Sequence, residues 1–539
     1  MVSDDTAPNS GNEWSISALA LAALTIGLFA MLANLLNHHH YPLFRAEVGL
    51  VALALLALAM GAAALHRLAR PRLSFVLTGL YAAVLIDLGT DLPNMVFPVL
   101  AGVLALAAWR WEAMVLKLNA AAFASVLLFQ VVDLVRAPGH PSAPRNETKH
   151  LQDGTNRNRA LRPIVHLMLD SYIGFDGMST QDTNFGDLRQ QQERFYLDRG
   201  FQIYPGAYSR HAKTINSLPE FLSYGTAPQA TDPRNVQSFA PDPLAYFNDL
   251  DAAGYRTSVW APSFVDLCPK QPLSWCENYN RSDLAMIADS GLSAPERAWV
   301  IAANLLELSH FTSKLAGTID LVVHGGGQGK RRHFYNVAKL YSLTGMARID
   351  AVTRDLAGLK PGEARFVHLL LPHDPYVLDG DCKLLPLSGW GDEHGPMPLA
   401  QRDGAYARQL RCVTEHQIAA LLKALDATEA GRQAIVIIQG DHGSRTFEGE
   451  PSVMSGLTSP RTAAIGYSAF FAVRVPGEPA ATIDGRYALD ELLGNFATGH
   501  FGKAPHPPNR AAEVWLLDAD WIPVKRVPLP PFVQKFPKN

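Results

Sequence analysis

Nearly uncharged apolar runs at residues 15–36, 46–65, 74–88, 95–109 and 114–135, divided by short polar or arginine-bearing turns, leave the first quarter of this chain few folds to choose from. A backbone in hydrocarbon must satisfy its own polar groups, so such runs fold as helices, and about 20 apolar residues are needed to cross. The pattern predicts a five-helix membrane domain over residues 1–136. The third and fourth runs hold only about 15 residues each, which makes three crossings the alternative count. Both counts are odd. A cleaved signal peptide fits poorly, because residues 14–36 have no basic leader and more apolar runs follow.

Charge orients the runs. Arg67, Arg70 and Arg72 crowd one turn and Arg110 marks another, whereas residues 87–94 carry only acidic charge. Basic turns stay in the cytoplasm, so everything after residue 135 is expected outside, as in a multi-pass protein of a bacterial inner membrane. Residues 137–162, rich in Pro, Asn and Arg, read as a linker, and residues 163–539 as a periplasmic domain. The net charge of −3 offers no basic face for nucleic acid. Cys268, Cys276, Cys382 and Cys412 all fall in the exported part. Two disulfides are expected there, Cys268 with Cys276 and Cys382 with Cys412, rather than four zinc thiolates, since no CxxC spacing occurs.

Beyond residue 162 the apolar runs shorten to strand length, at 163–169, 254–260, 365–371, 434–439 and 467–475, with helical stretches such as 406–425 between them. This alternation predicts an α/β fold whose central sheet is mixed and largely parallel, with helices on both faces. Such sheets bind ligands at the carboxyl ends of their strands. Asp170 closes one strand, and Asp441 and His442 close another in AIVIIQGDHG. Two carboxylates and an imidazole are donors for a borderline dication such as zinc or manganese. Taken alone, Asp170 is equally a helix N-cap. A third strand ends HLLLPHDPY; His368 lies on the strand, where it reads as a satisfied core histidine or one that supports a metal ligand from behind, and His373 lies just beyond it.

A nucleophile is offered by residues 207–225, where Thr214 stands at the change from extended chain to helix. A hydroxyl beside a dication and a helix N-terminus can ionise near neutral pH. Thr214 and Ser217 also read as ordinary N-caps, and Ser217 is the rival nucleophile.

In chain order, Asp170, Thr214 with its TxxSxP context, His373 in HxPY and the Asp441-His442-Gly443 run resemble the sulfatase-like branch of the alkaline phosphatase superfamily over about residues 163–500. Within that branch the chain is most similar to lipoteichoic acid synthases and to phosphoethanolamine and phosphoglycerol transferases, which place an exported catalytic domain after a five-helix anchor. The resemblance implies an alkaline phosphatase-like α/β/α domain. It implies that Asp170, Asp441 and His442 hold a divalent metal with Thr214 at the ion, that Thr214 is the phosphorylated nucleophile, and that His373 approaches the phosphoryl group. The implied reaction moves a phosphoethanolamine- or phosphoglycerol-type group from a membrane phospholipid to an envelope glycan or lipid.

Two departures stand out. Lys213 directly precedes Thr214, and no histidine lies between Gly443 and Thr498 to serve a second ion. Ser217-Leu218-Pro219 begins like a sulfatase maturation motif, but Phe221 occupies the arginine position, so formylglycine chemistry is not expected. The alternatives are a hydrolase of phosphate or sulfate esters, with water as acceptor, and an inactive glycan-binding relative. Three further features carry less. The run from His324 to Lys330 lacks the order of a phosphate loop, so no nucleotide site is expected. His38, His39 and His40 read as a polar turn. Residues 296–315 read as an amphipathic helix lying on the membrane, over the site or in the core.

Overall fold

The computed structural model describes residues 10–136 except 71 and 94, then 161–178, 185–226, 239–309, 312–315, 318, 338–392, 397–446, 450–457 and 459–532. The linker expected before residue 161 and the run from His324 to Lys330 lie outside the described residues. The chain divides into two compact units, one of residues 1–141 with 284–339 and one of residues 142–283 with 340–539.

The first unit is helical. Helices α1 (Ser10–His38), α2 (Ala46–Leu68), α3 (Ser74–Thr90) and α4 (Val96–Arg136) occupy the apolar runs. The last two runs are joined in α4, and Trp111, with φ −136° and ψ 47°, marks the seam between them. Three of these helices are long and apolar enough to cross a membrane, over Ile16–His38, Ala46–Leu68 and Val96–Val132, and α3 is shorter. Close helix approach in lipid favours small residues; a Cβ on Gly79 would stand 2.4 Å from the Ala105 backbone nitrogen, so α3 and α4 meet there through glycine. The helix Ala294–Leu306 belongs to this unit and packs against α2. It opens with a capping box between Ser293 and Glu296. Arg297 pairs with the buried Glu47 of α2 at 3.0 Å, and the Tyr41 hydroxyl donates to the same carboxylate at 2.7 Å. His39 accepts from the Leu284 amide at 3.4 Å.

The second unit is built on an eight-stranded sheet. Its strands are β1 (Ile164–Leu169), β2 (Gln202–Ile203), β3 (Arg256–Pro262), β4 (Trp275–Tyr279), β5 (Glu363–Leu369), β6 (Ile435–Gly440), β7 (Phe471–Arg474) and β8 (Ala481–Thr482), in the order β4-β3-β5-β1-β6-β7-β2-β8. Only β7 runs antiparallel to its neighbours. Side chains alternate across a strand, and here both faces are apolar. Ile164 and Met168 of β1, with Ile435 and Ile437 of β6, enter one core. Val165, Leu167, Leu169, Val436 and Ile438 enter the other. Unbroken apolar strands are what a sheet covered on both faces requires. The mixed, mostly parallel α/β sheet agrees with the sequence reading. Cys268 pairs with Cys276 and Cys382 with Cys412, each with 5.5 Å between Cα atoms.

Candidate active site

Strand β1 lies between β5 and β6, with which it pairs in parallel, and the chain leaves all three at the same edge of the sheet. Polar groups that follow these strands therefore converge. The Asp170 amide continues the ladder by donating to the Leu369 carbonyl at 2.9 Å, and Ser171 then turns sharply with φ 65°. The buried Tyr406 pins this turn: its hydroxyl donates to the Ser171 carbonyl at 2.7 Å and accepts from the Ile173 amide at 3.1 Å. At the end of β6 two glycines allow close backbone approach. A Cβ on Gly440 would meet the Tyr172 carbonyl oxygen at 2.2 Å, and one on Gly443 would meet that of Ile465 at 2.0 Å. The glycine of the DHG run is thus a packing requirement.

Asp170, Asp441 and His442 each offer a ligand atom within 4.8 Å of the others, and all three are buried. His442 Nε2 lies 3.2 Å from Asp441 Oδ2 and 3.6 Å from Asp170 Oδ1. The Ser171 amide donates to Asp441 Oδ1 at 3.0 Å, which leaves Oδ2 buried without a hydrogen bond. Burial raises the Asp441 carboxyl above the usual range and the Asp170 charge adds to this. Burial acts upward on Asp170 too, but His373, His368 and His442 outweigh it and hold that carboxyl low. Burial pushes the His442 imidazole down to about 4, so it is neutral and fit to donate a lone pair. Two buried carboxylates, one with an oxygen left over, and a neutral imidazole form a donor set that a divalent cation would complete.

Thr214 is the first residue of α6 (Thr214–Leu222), the helix that follows α5 (Gly186–Leu197), with Lys213 as the N-cap and no side-chain cap hydrogen bond. Its hydroxyl is therefore not spent on the helix end. Thr214 Oγ1 donates to Asp170 Oδ2 at 3.3 Å and lies 3.2 Å from His442 Nε2. The positive end of α6 favours negative charge at this oxygen. Ser217 turns away, its hydroxyl directed at the Thr214 carbonyl at 3.5 Å.

His373 stands with Nε2 4.0 Å from Asp170 Oδ1, while its Nδ1 lies 2.8 Å from Asp374 Oδ1. His368 is nearer, with Nε2 3.7 Å from Asp170 Oδ2. It is fully buried and neither ring nitrogen has a partner within hydrogen-bond reach. The sequence reading gave it a place in the core or behind a metal ligand; it is buried, and its ring faces the carboxylate cluster. Sequence reading also passed over Arg445 and Glu450. Lys213 Nζ meets Glu450 at 2.6 Å and Arg445 meets it at 3.3 Å, so one carboxylate is shared by two cations beside the site. The signal available was Arg445 three positions after His442, in a polar stretch following a strand end.

No protein-family model matches the sequence, and no curated protein matches it. Solved structures do match in fold. The chain is similar to the C-terminal periplasmic domain of EcEptC from Escherichia coli in complex with Zn, at 13% identity and TM-score 0.39, over 70% of this chain and 94% of that one. It is similar to the phosphonate monoester hydrolase of Agrobacterium radiobacter, at 13% identity and TM-score 0.40, over 66% and 81%. A third is a protein in the alkaline phosphatase superfamily from Vibrio parahaemolyticus, at 10% identity and TM-score 0.35, over 66% and 72%.

Proposed function

We propose that the chain is an enzyme of the sulfatase-like branch of the alkaline phosphatase superfamily. In this reading it moves a phosphoethanolamine- or phosphoglycerol-type group from a membrane phospholipid to an envelope glycan or lipid. The observation that carries the reading is the Thr214 hydroxyl at the N-terminus of α6, aimed at Asp170 and His442 and free of any capping duty. Asp170, Asp441 and His442 would hold zinc or manganese. When bound, a dication lowers the pKa of a neighbouring hydroxyl and offsets charge on non-bridging phosphate oxygens.

The residues then divide the work. Thr214 Oγ1, its proton released to solvent, attacks phosphorus; a Thr–O–P bond forms as the bond to the donor alcohol breaks. His373 supplies the proton that the departing alcohol carries away. The acceptor hydroxyl gives its proton to His373, which restores the acid, and attacks the same phosphorus; the Thr–O–P bond breaks and Thr214 leaves as the alkoxide that began the cycle. The apolar helices of a membrane anchor support a lipid donor. Five crossings, with α4 counted as two, the linker at 137–162 and a periplasmic domain over 163–539 form the arrangement that goes with this reading. No nucleotide or nucleic acid takes part.

Mass spectrometry of envelope lipids and glycans from cells with and without the protein tests the proposal. A phosphoethanolamine or phosphoglycerol mass difference on one envelope component is the expected result. An unchanged set of such esters, with phosphate or sulfate released from a glycan instead, would assign the hydrolase reading.

A further inference from the structure

A cavity of about 190 Å³ opens at Lys213, the residue before Thr214, and is bordered also by Glu450, Ser452, Leu517, Asp518 and Trp521. At a liquid share of ~30 Å³ per water, it holds about six waters, roughly the bulk of one sugar ring. Its far wall comes from a hairpin of the strands Glu513–Leu517 and Pro523–Pro528, whose turn carries Trp521. Three contacts fix this wall against the rest of the site. The Asn216 side chain of α6 donates to the Trp521 carbonyl at 3.0 Å, the Val453 amide donates to the Leu517 carbonyl at 2.9 Å, and the Lys213 ammonium lies 4.7 Å from the centre of the Trp521 ring. Trp521 holds φ 62°, a conformation that persists only where the surroundings enforce it.

The charges around the cavity select its occupant. Lys213 is paired to Glu450, which Arg445 also contacts, and the Asp518 carboxylate accepts from the amides of Asp520 and Ile522 at 2.9 Å. A cationic ligand would meet the ammonium already on the Trp521 ring. An anionic one would meet Glu450 and Asp518. A neutral, hydroxyl-rich ring meets neither obstacle, since carboxylates and Ser452 take hydroxyl hydrogen bonds and an aromatic face takes the ring's apolar side. We infer that this cavity is the acceptor subsite and takes a single neutral sugar residue, packed against Trp521 beside the Lys213 ammonium with a hydroxyl directed toward Thr214. The assignment rests on Thr214 being the nucleophile, and it narrows the acceptor to a glycan.

Saturation-transfer NMR on the full-length protein in detergent, with methyl α-glucopyranoside as probe, tests this without turnover. Transfer is expected in the wild type and equally in Thr214→Ala, at least tenfold weaker binding in Trp521→Ala, and binding largely kept in Trp521→Tyr. Glu450→Gln, which leaves Lys213 and the neighbouring Arg445 against Asp518 alone, is expected to favour inorganic phosphate over the glucoside. Melting curves of each variant separate lost binding from lost folding, and Trp521→Tyr and Glu450→Gln decide the matter if Trp521→Ala does not fold. No transfer in the wild type, equal transfer in Trp521→Ala, or choline binding in preference to the glucoside would overturn the assignment. Because Thr214→Ala retains the subsite, failure of the transferase reading would leave sugar binding intact and so be told apart.

Discussion

At the scale of single residues, the sequence left Thr214 divided between cap and nucleophile. The geometry turns on one position: Lys213 takes the N-cap with φ −137° and ψ 133°, so the Thr214 side chain faces Asp170 and His442. The convergence of Asp170, Asp441 and His442 was legible because each closes an apolar strand of one parallel sheet. The place of His368 was legible only as a choice between core and support of a ligand, since strand alternation assigns a face of the sheet but not nearness to the strand end. The most testable residue is Gly443. A Cβ there would meet the Ile465 carbonyl oxygen at 2.0 Å, so Gly443→Ala must displace backbone on one side or the other. We expect a loss of about 1–3 kcal/mol of stability together with lost metal binding, read by calorimetry and bound-metal analysis. A stable variant that binds metal normally would show that the DHG turn is not set by this contact.

At the scale of elements, β1, β3, β5, β6 and β7 were legible as apolar runs, whereas β2 and β8 hold two residues each and β4, WCENY, is interrupted by Glu277 and Asn278. The hairpin that carries Trp521 also lies in a mixed sequence, so no periodicity announced it. Helix α6 carries its own pH signature. Burial raises Glu220 to about 7, and Asp490 adds to the rise against Arg210. Between its ordinary value of 4.5 and about 7 the folded state binds more protons than the unfolded one, so Glu220 lowers stability as pH climbs through that window. The advantage of Glu220→Gln over the wild type in melting temperature should therefore be small at pH 5 and larger at pH 8. An advantage that shrinks as pH rises would contradict the assignment. The disulfides are elements of the same kind. Cys382–Cys412 closes the longer loop, with a separation of 30 against 8 for Cys268–Cys276. By loop entropy it contributes about 3–4 kcal/mol, the shorter one about 2–3. Thiol labelling of the unreduced, denatured protein should find no free cysteine, and Cys382→Ala with Cys412→Ala should cost more stability than Cys268→Ala with Cys276→Ala.

At the scale of the whole molecule, the apolar runs and arginine pattern made a membrane part followed by an α/β part legible. The excursion of residues 284–339 into the first unit was not, because amphipathicity says that a helix packs but not against what. Its anchor is the buried Glu47 held by Arg297 and Tyr41. Truncating one partner leaves a buried charge alone and should cost about 3–5 kcal/mol, so Arg297→Ala is expected to be worse than the double variant Arg297→Ala with Glu47→Leu. Additive losses in detergent melts would deny the pair its role. The central claim is phosphoryl transfer through Thr214 at a metal held by Asp170, Asp441 and His442. Tandem mass spectrometry of the peptide containing Thr214, taken after the full-length protein has been incubated with zinc and membrane phospholipid, tests it most directly. The account predicts a phosphate-ester adduct on Thr214 in the wild type and none in Asp441→Asn; an adduct on Ser217, or phospholipid turnover with Thr214 unmodified and replaceable by alanine, would contradict it.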